Sequence, residues 1–218
     1  MNATDFRGVI FDLDGTLLDT LTDLADAANR VLARHGWPTH ARDAYRYFVG
    51  DGMRMLVERA IPADQRSAVT IDGVVREMHA EYGAHWAEAT RPYAGVREML
   101  DGLAGRGMQM AVLSNKPDEF TVTMVTYFFP NTSFLRVVGA RPELPRKPDP
   151  TGALQIAAAM NLEPRRILYV GDTATDMKTA VAAGMLPIGV LWGFRDEREL
   201  RESGARRVIG HPRELIGT

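Results

Sequence analysis

One stretch of the sequence decides the fold: Val9-Ile10-Phe11-Asp12-Leu13-Asp14-Gly15-Thr16. Its first three residues are apolar and bulky, which is typical of a strand buried on both faces of a sheet. Two carboxylates follow where this strand ends, and Gly15 permits a sharp turn. In open α/β sheets, ligands bind outside the carboxyl ends of the strands. The pattern therefore favours a functional site here. A plain surface turn is the alternative, since Asp, Gly and Thr are common turn residues.

Further apolar runs follow from residue 92 onward, and helical patterns separate most of them. The runs are Met110–Leu113, Leu135–Val138, Ile167–Val170, Ile188–Leu191 and Val208–Ile209. Strands that alternate with helices imply parallel crossover connections. We therefore predict an α/β fold with a doubly wound, Rossmann-like parallel sheet, to which the first strand also belongs. The pattern does not predict the order of the strands.

A different pattern occupies residues 20–90, which are predicted to be helical throughout. Apolar residues recur at helical spacing after Thr20, and Thr20 and Asp23 have the arrangement of an N-terminal capping pair. Two further helices are predicted over residues 52–60 and 65–86.

These helices interrupt the strand pattern, so we predict two domains. Residues 1–19 and 91–218 would form the Rossmann-like catalytic core, and residues 20–90 would form an inserted helical cap domain over its catalytic edge.

Composition narrows the possible functions. The chain has 218 residues with a formal net charge of -2 and a pI of about 6.2, so it lacks the basic field that nucleic-acid binding requires. The absence of cysteine excludes disulfides, thiolate metal sites and a cysteine nucleophile. No apolar run approaches membrane-spanning length, and the segment Met1–Asp5 lacks a basic flank. We expect a cytoplasmic monomer or homodimer with neither nucleic acid nor membrane as partner.

Polar residues also occur at the end of a second predicted strand and within a proline-containing loop. Ser114, Asn115 and Lys116 come directly after Met110–Leu113 and could place a hydroxyl, an amide and an ammonium at this strand end. The hydroxyl and backbone N–H groups there are suited to phosphate oxygens. A helix N-cap before Pro117 is the alternative. Lys147 lies in Lys147-Pro148-Asp149-Pro150, where the prolines restrict the backbone and the ammonium would be a fixed point charge. An ordinary solvated loop lysine is the alternative.

Two more acids, Asp172 and Asp176, follow the strand Ile167–Val170. Together with Asp12 and Asp14 they would place four carboxylates at one edge of the sheet. Such a cluster cannot stay ionised without a cation, so it predicts a metal. Ligation by oxygen alone indicates Mg²⁺.

Taken in order, these residues resemble the four motifs of the haloacid dehalogenase superfamily. The motifs are Asp12-x-Asp14-Gly15-Thr16, Ser114, Lys147 and Gly171-Asp172-x-x-x-Asp176. The predicted cap lies between the first and second motifs, where the subgroup with a helical cap of the C1 type carries it.

Within that superfamily the chain resembles the phosphoglycolate phosphatases and their close relatives. This narrower resemblance rests on Asp19-Thr20-Leu21-x-Asp23-Leu24, Val49-Gly50-Asp51-Gly52-Met53-Arg54, Pro92-Tyr93-x-Gly95-Val96 and Ser114-Asn115-Lys116-Pro117.

The resemblance implies a Mg²⁺-dependent phosphatase that acts on a small phosphorylated metabolite through an aspartyl-phosphate intermediate. Asp12 would be the nucleophile and Asp14 the general acid and base, with Lys147 offsetting charge. The phosphate would be held by Thr16, Ser114, Asn115 and Lys147. The metal would be held by Asp12, the Asp14 backbone carbonyl and Asp172, with Asp176 supporting the metal or Lys147.

The predicted cap supplies two candidate substrate-binding residues, Gly52 and Arg54. Arg54 stands at the start of a predicted helix after Gly50 and Gly52, where its planar guanidinium could reach a substrate carboxylate. A solvated arginine on the helix surface is the alternative.

Other functions remain open at this stage. Relatives that act on pyrophosphate or sugar phosphates share much of the pattern, although the loop 50–54 differs from the one expected of a phosphomutase. Dehalogenases of the superfamily lack the acid at the position of Asp14 and need no metal. A non-catalytic nucleotide-binding protein would carry a glycine-rich turn after the first strand, and this chain has none there. We therefore expect a phosphatase, with 2-phosphoglycolate as the first candidate substrate.

Overall fold

The computed structural model describes residues 6–217. Met1–Asp5 and Thr218, at the outer ends of the predicted core, lie outside the described residues. Eight strands are present in the described part: β1 (Gly8–Phe11), β2 (Leu18–Asp19), β3 (Arg91–Pro92), β4 (Gln109–Pro117), β5 (Arg136–Ala140), β6 (Ile167–Gly171), β7 (Leu186–Val190) and β8 (Arg207–Ile209).

Six of these strands form one parallel sheet, in the order β5-β4-β1-β6-β7-β8. The predicted α/β fold with a doubly wound sheet is confirmed. Strand β1 lies at the centre, where the strand order reverses, and such reversal points open a crevice at the carboxyl ends of the strands. Asp12 is the first residue after β1, so the fold places it in that crevice.

Both faces of the sheet are buried, as the apolar run of β1 predicts. Val9 and Phe11 belong to the larger hydrophobic core, whereas Ile10, between them, belongs to a second core on the opposite face. Alternate residues of a strand point to opposite faces, so a strand buried on both sides has no polar position. The first polar side chain therefore comes only where the strand ends.

Helices cover this sheet and fill the segment between β2 and β3. The described helices are α1 (Leu21–Arg34), α2 (Tyr45–Phe48), α3 (Met53–Ala60), α4 (Ala68–His85), α5 (Val96–Gly105), α6 (Asp118–Phe128), α7 (Thr151–Ala159), α8 (Ala174–Ala182) and α9 (Glu197–Glu202). Helix α4 begins later than predicted because the side chain of Ser67 caps it by accepting a hydrogen bond from Thr70 N. Across residues 6–217, no helix combines the length and apolar character that a membrane crossing would need.

The predicted capping pair at the start of α1 is wrong. Thr20 occupies the N-cap position, but its side chain makes no capping hydrogen bond. The Asp23 carboxylate instead accepts hydrogen bonds from Ala89 N at 2.8 Å, Thr90 N at 2.8 Å and Thr90 Oγ1 at 2.7 Å. The buried N–H and hydroxyl of Thr90 need an acceptor, and the Asp23 carboxylate supplies one.

The chain leaves and re-enters the core at one place. Strands β2 and β3 pair antiparallel there, with Leu18 opposite Pro92 and Asp19 opposite Arg91. All of α1–α4 lies between these two strands. The division into a core and a cap at residues 19/20 and 90/91 stays a prediction, and this paired crossing supports it.

Candidate active site

Three carboxylates meet beyond the carboxyl end of the central strands. Asp12, Asp172 and Asp176 are buried, and each offers an oxygen within 4.8 Å of the others. Phe11 of β1 lies opposite Val170 of β6, so the residues that follow both strands come together.

Lys147 bridges two of these acids. Its Nζ lies 2.9 Å from Asp12 Oδ1 and 2.7 Å from Asp176 Oδ1. Asp12 Oδ1 also accepts a hydrogen bond of 2.7 Å from Leu13 N. The other Asp176 oxygen accepts from the N–H and hydroxyl of Thr173 in the capping box of α8. The alternative of a solvated Lys147 is therefore wrong, because its ammonium is buried between two carboxylates.

The third acid, Asp172, is held by two donors. Thr16 Oγ1 donates to its Oδ1 at 2.9 Å, and Phe194 N donates to its Oδ2 at 2.8 Å. Thr16 is predicted to bind phosphate, but in the structure its hydroxyl proton is donated to Asp172.

Two glycines allow the chain to approach Asp172 this closely. Gly15 has a φ of +81°, and a Cβ built on it would lie 2.2 Å from Asp172 Oδ2. A Cβ on Gly193 would lie 2.3 Å from Asp172 Cβ and 2.4 Å from the backbone oxygen of Gly15. Side chains at either position would collide with the site, so both must be glycine.

Burial disfavours the ionised forms of Asp12 and Asp172. Desolvation raises the pKa of Asp12 to about 7, with Lys147 opposing the shift and Asp176 adding to it. Burial, together with the nearby Asp176 and Asp12, raises the pKa of Asp172 well above its usual value. The single bridging ammonium of Lys147 does not offset three acids. When the three acids ionise together, the excess of negative charge, on oxygen donors alone, fits a hard divalent cation such as Mg²⁺.

The Asp14 carboxylate pairs with Lys116 and not with Lys147. Lys116 Nζ donates to its Oδ1 at 3.0 Å and to its Oδ2 at 3.2 Å. Burial would lower the pKa of Lys116, but Asp14 and the Tyr82 phenol outweigh it and raise the pKa to about 12. The Asp14 carboxylate is thus separate from the three-acid cluster, and a metal contact through its backbone carbonyl stays a prediction.

Ser114 and Asn115 lie near the end of β4, which extends to Pro117 rather than ending at Leu113 as predicted. Pro117 is the N-cap residue of α6, so the predicted N-cap alternative for Ser114 and Asn115 is wrong. Ser114 Oγ accepts from Lys116 N at 3.3 Å, which leaves its hydroxyl proton to donate.

The Asn115 side chain holds three backbone segments together. Its amide group donates to Gly50 O at 3.1 Å and Lys147 O at 3.0 Å, and its oxygen accepts from Lys147 N at 2.9 Å. Asn115, which is predicted to bind phosphate, thus fixes the backbone of Lys147 and the loop 50–54 of the predicted cap.

A cavity opens between these residues and the predicted cap. The core lines it with Asp12, Asp14, Ser114, Asn115, Lys116 and Pro117, and the opposite wall consists of Leu24, Val49, Gly50, Gly52, Met53 and Leu56. Gly52 lines this cavity, and its role in binding substrate stays a prediction.

The structure does not bring Arg54 to this cavity. Its side chain is 41% exposed on α3 and forms an ion pair with Asp72 of α4. Helix α3 lines the cavity with Met53 and Leu56 instead. Arg54 points elsewhere because successive residues of a helix are rotated by about 100°.

The loop of the predicted cap is fastened to the core at several points. Thr175 Oγ1 donates to Asp51 Oδ1 at 2.8 Å, and Arg46 Nη1 donates to Gly193 O at 3.0 Å. Arg195 donates to the backbone oxygens of Arg46 and Val49. These contacts hold the loop over the carboxylates.

Several contacts of the site were not predicted from the sequence. Lys116 was placed with Ser114 at the second strand end, but its ion pair with Asp14 was not predicted. Tyr82, Gly193 and Phe194 carry no signal in the sequence, because their relation to the acids arises only when distant elements pack together.

Comparison with known proteins agrees with this geometry. The family model described as haloacid dehalogenase-like hydrolase matches residues 9–190. A phosphoglycolate phosphatase of Pseudomonas putida is 33% identical over 213 residues, covering 96% of this chain and 78% of that protein. One from Psychrobacter arcticus is 31% identical over 204 residues, covering 91% and 89% of the two chains.

A solved structure from Lactobacillus delbrueckii subsp. bulgaricus superposes with a TM-score of 0.91 at 27% identity, covering 97% of each chain. The matched family segment contains all four acids and both lysines of the site. The chain therefore belongs to the haloacid dehalogenase-like hydrolase family.

Proposed function

We propose that this hydrolase removes the phosphoryl group from a small phosphate monoester through an aspartyl-phosphate on Asp12. The observation that carries the proposal is the position of Asp12, whose buried carboxylate lines the cavity while Lys147 holds one of its oxygens. The relatives named phosphoglycolate phosphatase support the same reaction class.

In the proposed first step, Asp12 attacks phosphorus. Leu13 N and Lys147 Nζ hold Oδ1, so we assign the attack to Oδ2. A phosphorus–oxygen bond forms to Asp12 as the bond to the ester oxygen breaks, and Asp14 gives its proton to the departing alcohol. In the second step Asp14 takes a proton from water, which attacks phosphorus and releases Asp12 and inorganic phosphate.

We assign Lys147 and Ser114 to the phosphoryl oxygens. Lys147 Nζ lies 2.9 Å from Asp12 Oδ1, and Ser114, whose hydroxyl proton is left to donate, lines the same cavity as Asp12. The side chains of Thr16 and Asn115 are already committed within the protein. We therefore assign them to positioning: Thr16 orients Asp172, and Asn115 orients Lys147.

Mg²⁺ would be held by Asp12, Asp172 and the Asp14 backbone carbonyl, while Asp176 supports Lys147. When bound, the cation neutralises charge, so that an anionic carboxylate can approach an anionic phosphate. The protein's own contribution is to hold these oxygens in place and to move a proton through Asp14.

We expect Mg²⁺ to raise the Tm more at about pH 8 than at about pH 6. The pKa of Asp12 is raised to about 7, so below this pH a cation must displace a proton, and binding strengthens as the pH rises through it. Thermal unfolding with and without MgCl₂ at both pH values measures the difference. Equal shifts, or the same shifts in Asp12→Asn, would show that the cation binds elsewhere.

The substrate class is tested with a panel of small phosphate esters and purified protein in Mg²⁺. We expect phosphate release from at least one ester with a kcat of roughly 1–1,000 s⁻¹, with 2-phosphoglycolate as the first candidate. A phosphomutase would instead yield an isomerised sugar phosphate, and a pyrophosphatase would prefer pyrophosphate. No phosphate from any ester would overturn the proposal.

A further inference from the structure

Lys116 and Tyr82 form a buried chain of contacts that ends at Asp14. The ammonium of Lys116 donates three hydrogen bonds. Two are accepted by the Asp14 oxygens, and the third is accepted by Tyr82 Oη at 2.9 Å. The ammonium also lies 4.4 Å from the centre of the Tyr82 ring. With its three donors satisfied, the ammonium has one orientation.

The partners of this chain come from both sides of the cavity. Lys116 belongs to β4 of the sheet, whereas Tyr82 belongs to α4 of the predicted cap. The Tyr82 ring is buried against Phe120 of α6 at a centroid distance of 5.3 Å, and its hydroxyl donates to Met124 Sδ at 3.7 Å. Tyr82 is thus held firmly enough to position Lys116.

We propose that Lys116 and Tyr82 are positioning residues for Asp14, an inference that rests on the proposed phosphatase function. Lys116 fixes the direction of the Asp14 carboxylate and stabilises the negative charge that remains when Asp14 gives its proton to the leaving alcohol. Tyr82 fixes Lys116 in turn. The packing of α4 on the core therefore sets the geometry of the acid.

The role can be separated from a merely structural one by the leaving group. An alkyl phosphate needs its departing oxygen protonated, whereas the nitrophenolate of p-nitrophenyl phosphate leaves without an acid. The value of kcat/KM reports steps up to formation of the phosphoenzyme, in which this bond breaks. Poor positioning of Asp14 should therefore harm the alkyl ester selectively.

The experiment measures kcat/KM for an alkyl phosphate from the panel and for p-nitrophenyl phosphate. For Lys116→Met we expect losses of about 100-fold with the alkyl ester and less than about 10-fold with the aryl ester. Tyr82→Phe keeps the ring. For this variant we expect kcat/KM to fall about 5-fold with the alkyl ester and less than about 2-fold with the aryl ester. The double variant should be no worse than Lys116→Met, because both act through one contact.

Lys178→Met on the exposed face of α8 and Tyr127→Phe at an exposed tyrosine are the matched controls and should leave both values unchanged. Equal losses for the two esters in Tyr82→Phe and Lys116→Met, or multiplicative losses in the double variant, would overturn the inference. If Lys116→Met does not fold, Tyr82→Phe alone tests the inference, through the loss in kcat/KM with the alkyl ester relative to the loss with the aryl ester. Wild-type protein that hydrolyses neither ester would instead refute the proposed function.

Discussion

Replacing Asp12 by asparagine is expected to lower kcat by roughly 10,000-fold or more, the scale seen when a nucleophile is removed. The amide keeps the shape of the carboxylate but is too weak a nucleophile to attack phosphorus. It also removes a charge from a crowded, buried cluster, so the variant should be at least as stable as the wild type in the absence of Mg²⁺.

Two measurements check this expectation. Steady-state phosphate release gives the loss of turnover, and acid-quenched reactions with radiolabelled ester show whether protein-bound phosphate forms. Wild type should carry a base-labile label that Asp12→Asn lacks. Asp101→Asn, on the exposed face of α5, is the matched control. Turnover by Asp12→Asn within about 10-fold of wild type would refute the covalent mechanism.

Lys147→Met is expected to destabilise the metal-free protein by about 3–5 kcal/mol, because it leaves Asp12 and Asp176 buried without their cation. The pKa of Lys147 is raised well above its usual value, so its ammonium stays charged and contributes this stability throughout the neutral range. Asp12 takes up a proton below about pH 7, so the loss should be smaller at about pH 5 than at about pH 8. Activity should fall as well, since Lys147 is assigned to the phosphoryl group.

Urea unfolding at the two pH values measures the free-energy change. Mg²⁺ should recover part of the stability, as a second source of positive charge at the same acids. Lys178→Met is the control and should change stability by less than about 0.5 kcal/mol. A loss of that small size in Lys147→Met would mean that the two ion pairs do not stabilise the native state.

The predictable part of the site consists of residues at the ends of parallel strands. Asp12, Ser114 and Asp172 each lie at or just beyond the end of an apolar run, and all parallel strands end at the same edge. These residues meet because β4, β1 and β6 are neighbours in the sheet, an order that the sequence did not predict.

Residues whose partners lie outside the sheet were less predictable. Asp23 has the spacing of a capping residue, yet it binds Ala89 and Thr90. Arg54 has the chemistry for a substrate carboxylate, yet it pairs with Asp72. In both cases the residue type was compatible with several partners, and helix packing selected one of them.

By itself, the sequence determined the α/β class, the helices between the first two strand motifs, and Asp12, Asp172, Asp176 and Lys147 of the carboxylate cluster, to which it also assigned Asp14. Only the tertiary structure decided that Thr16 donates a hydrogen bond to Asp172 and that Asn115 binds the backbone of Lys147. The same holds for the contacts of Lys116 with Asp14 and Tyr82. The physical reason lies in the range of the interactions. Hydrophobic periodicity and strand ends are local properties that a chain carries in its sequence, whereas a hydrogen bond across a cavity depends on how distant elements pack.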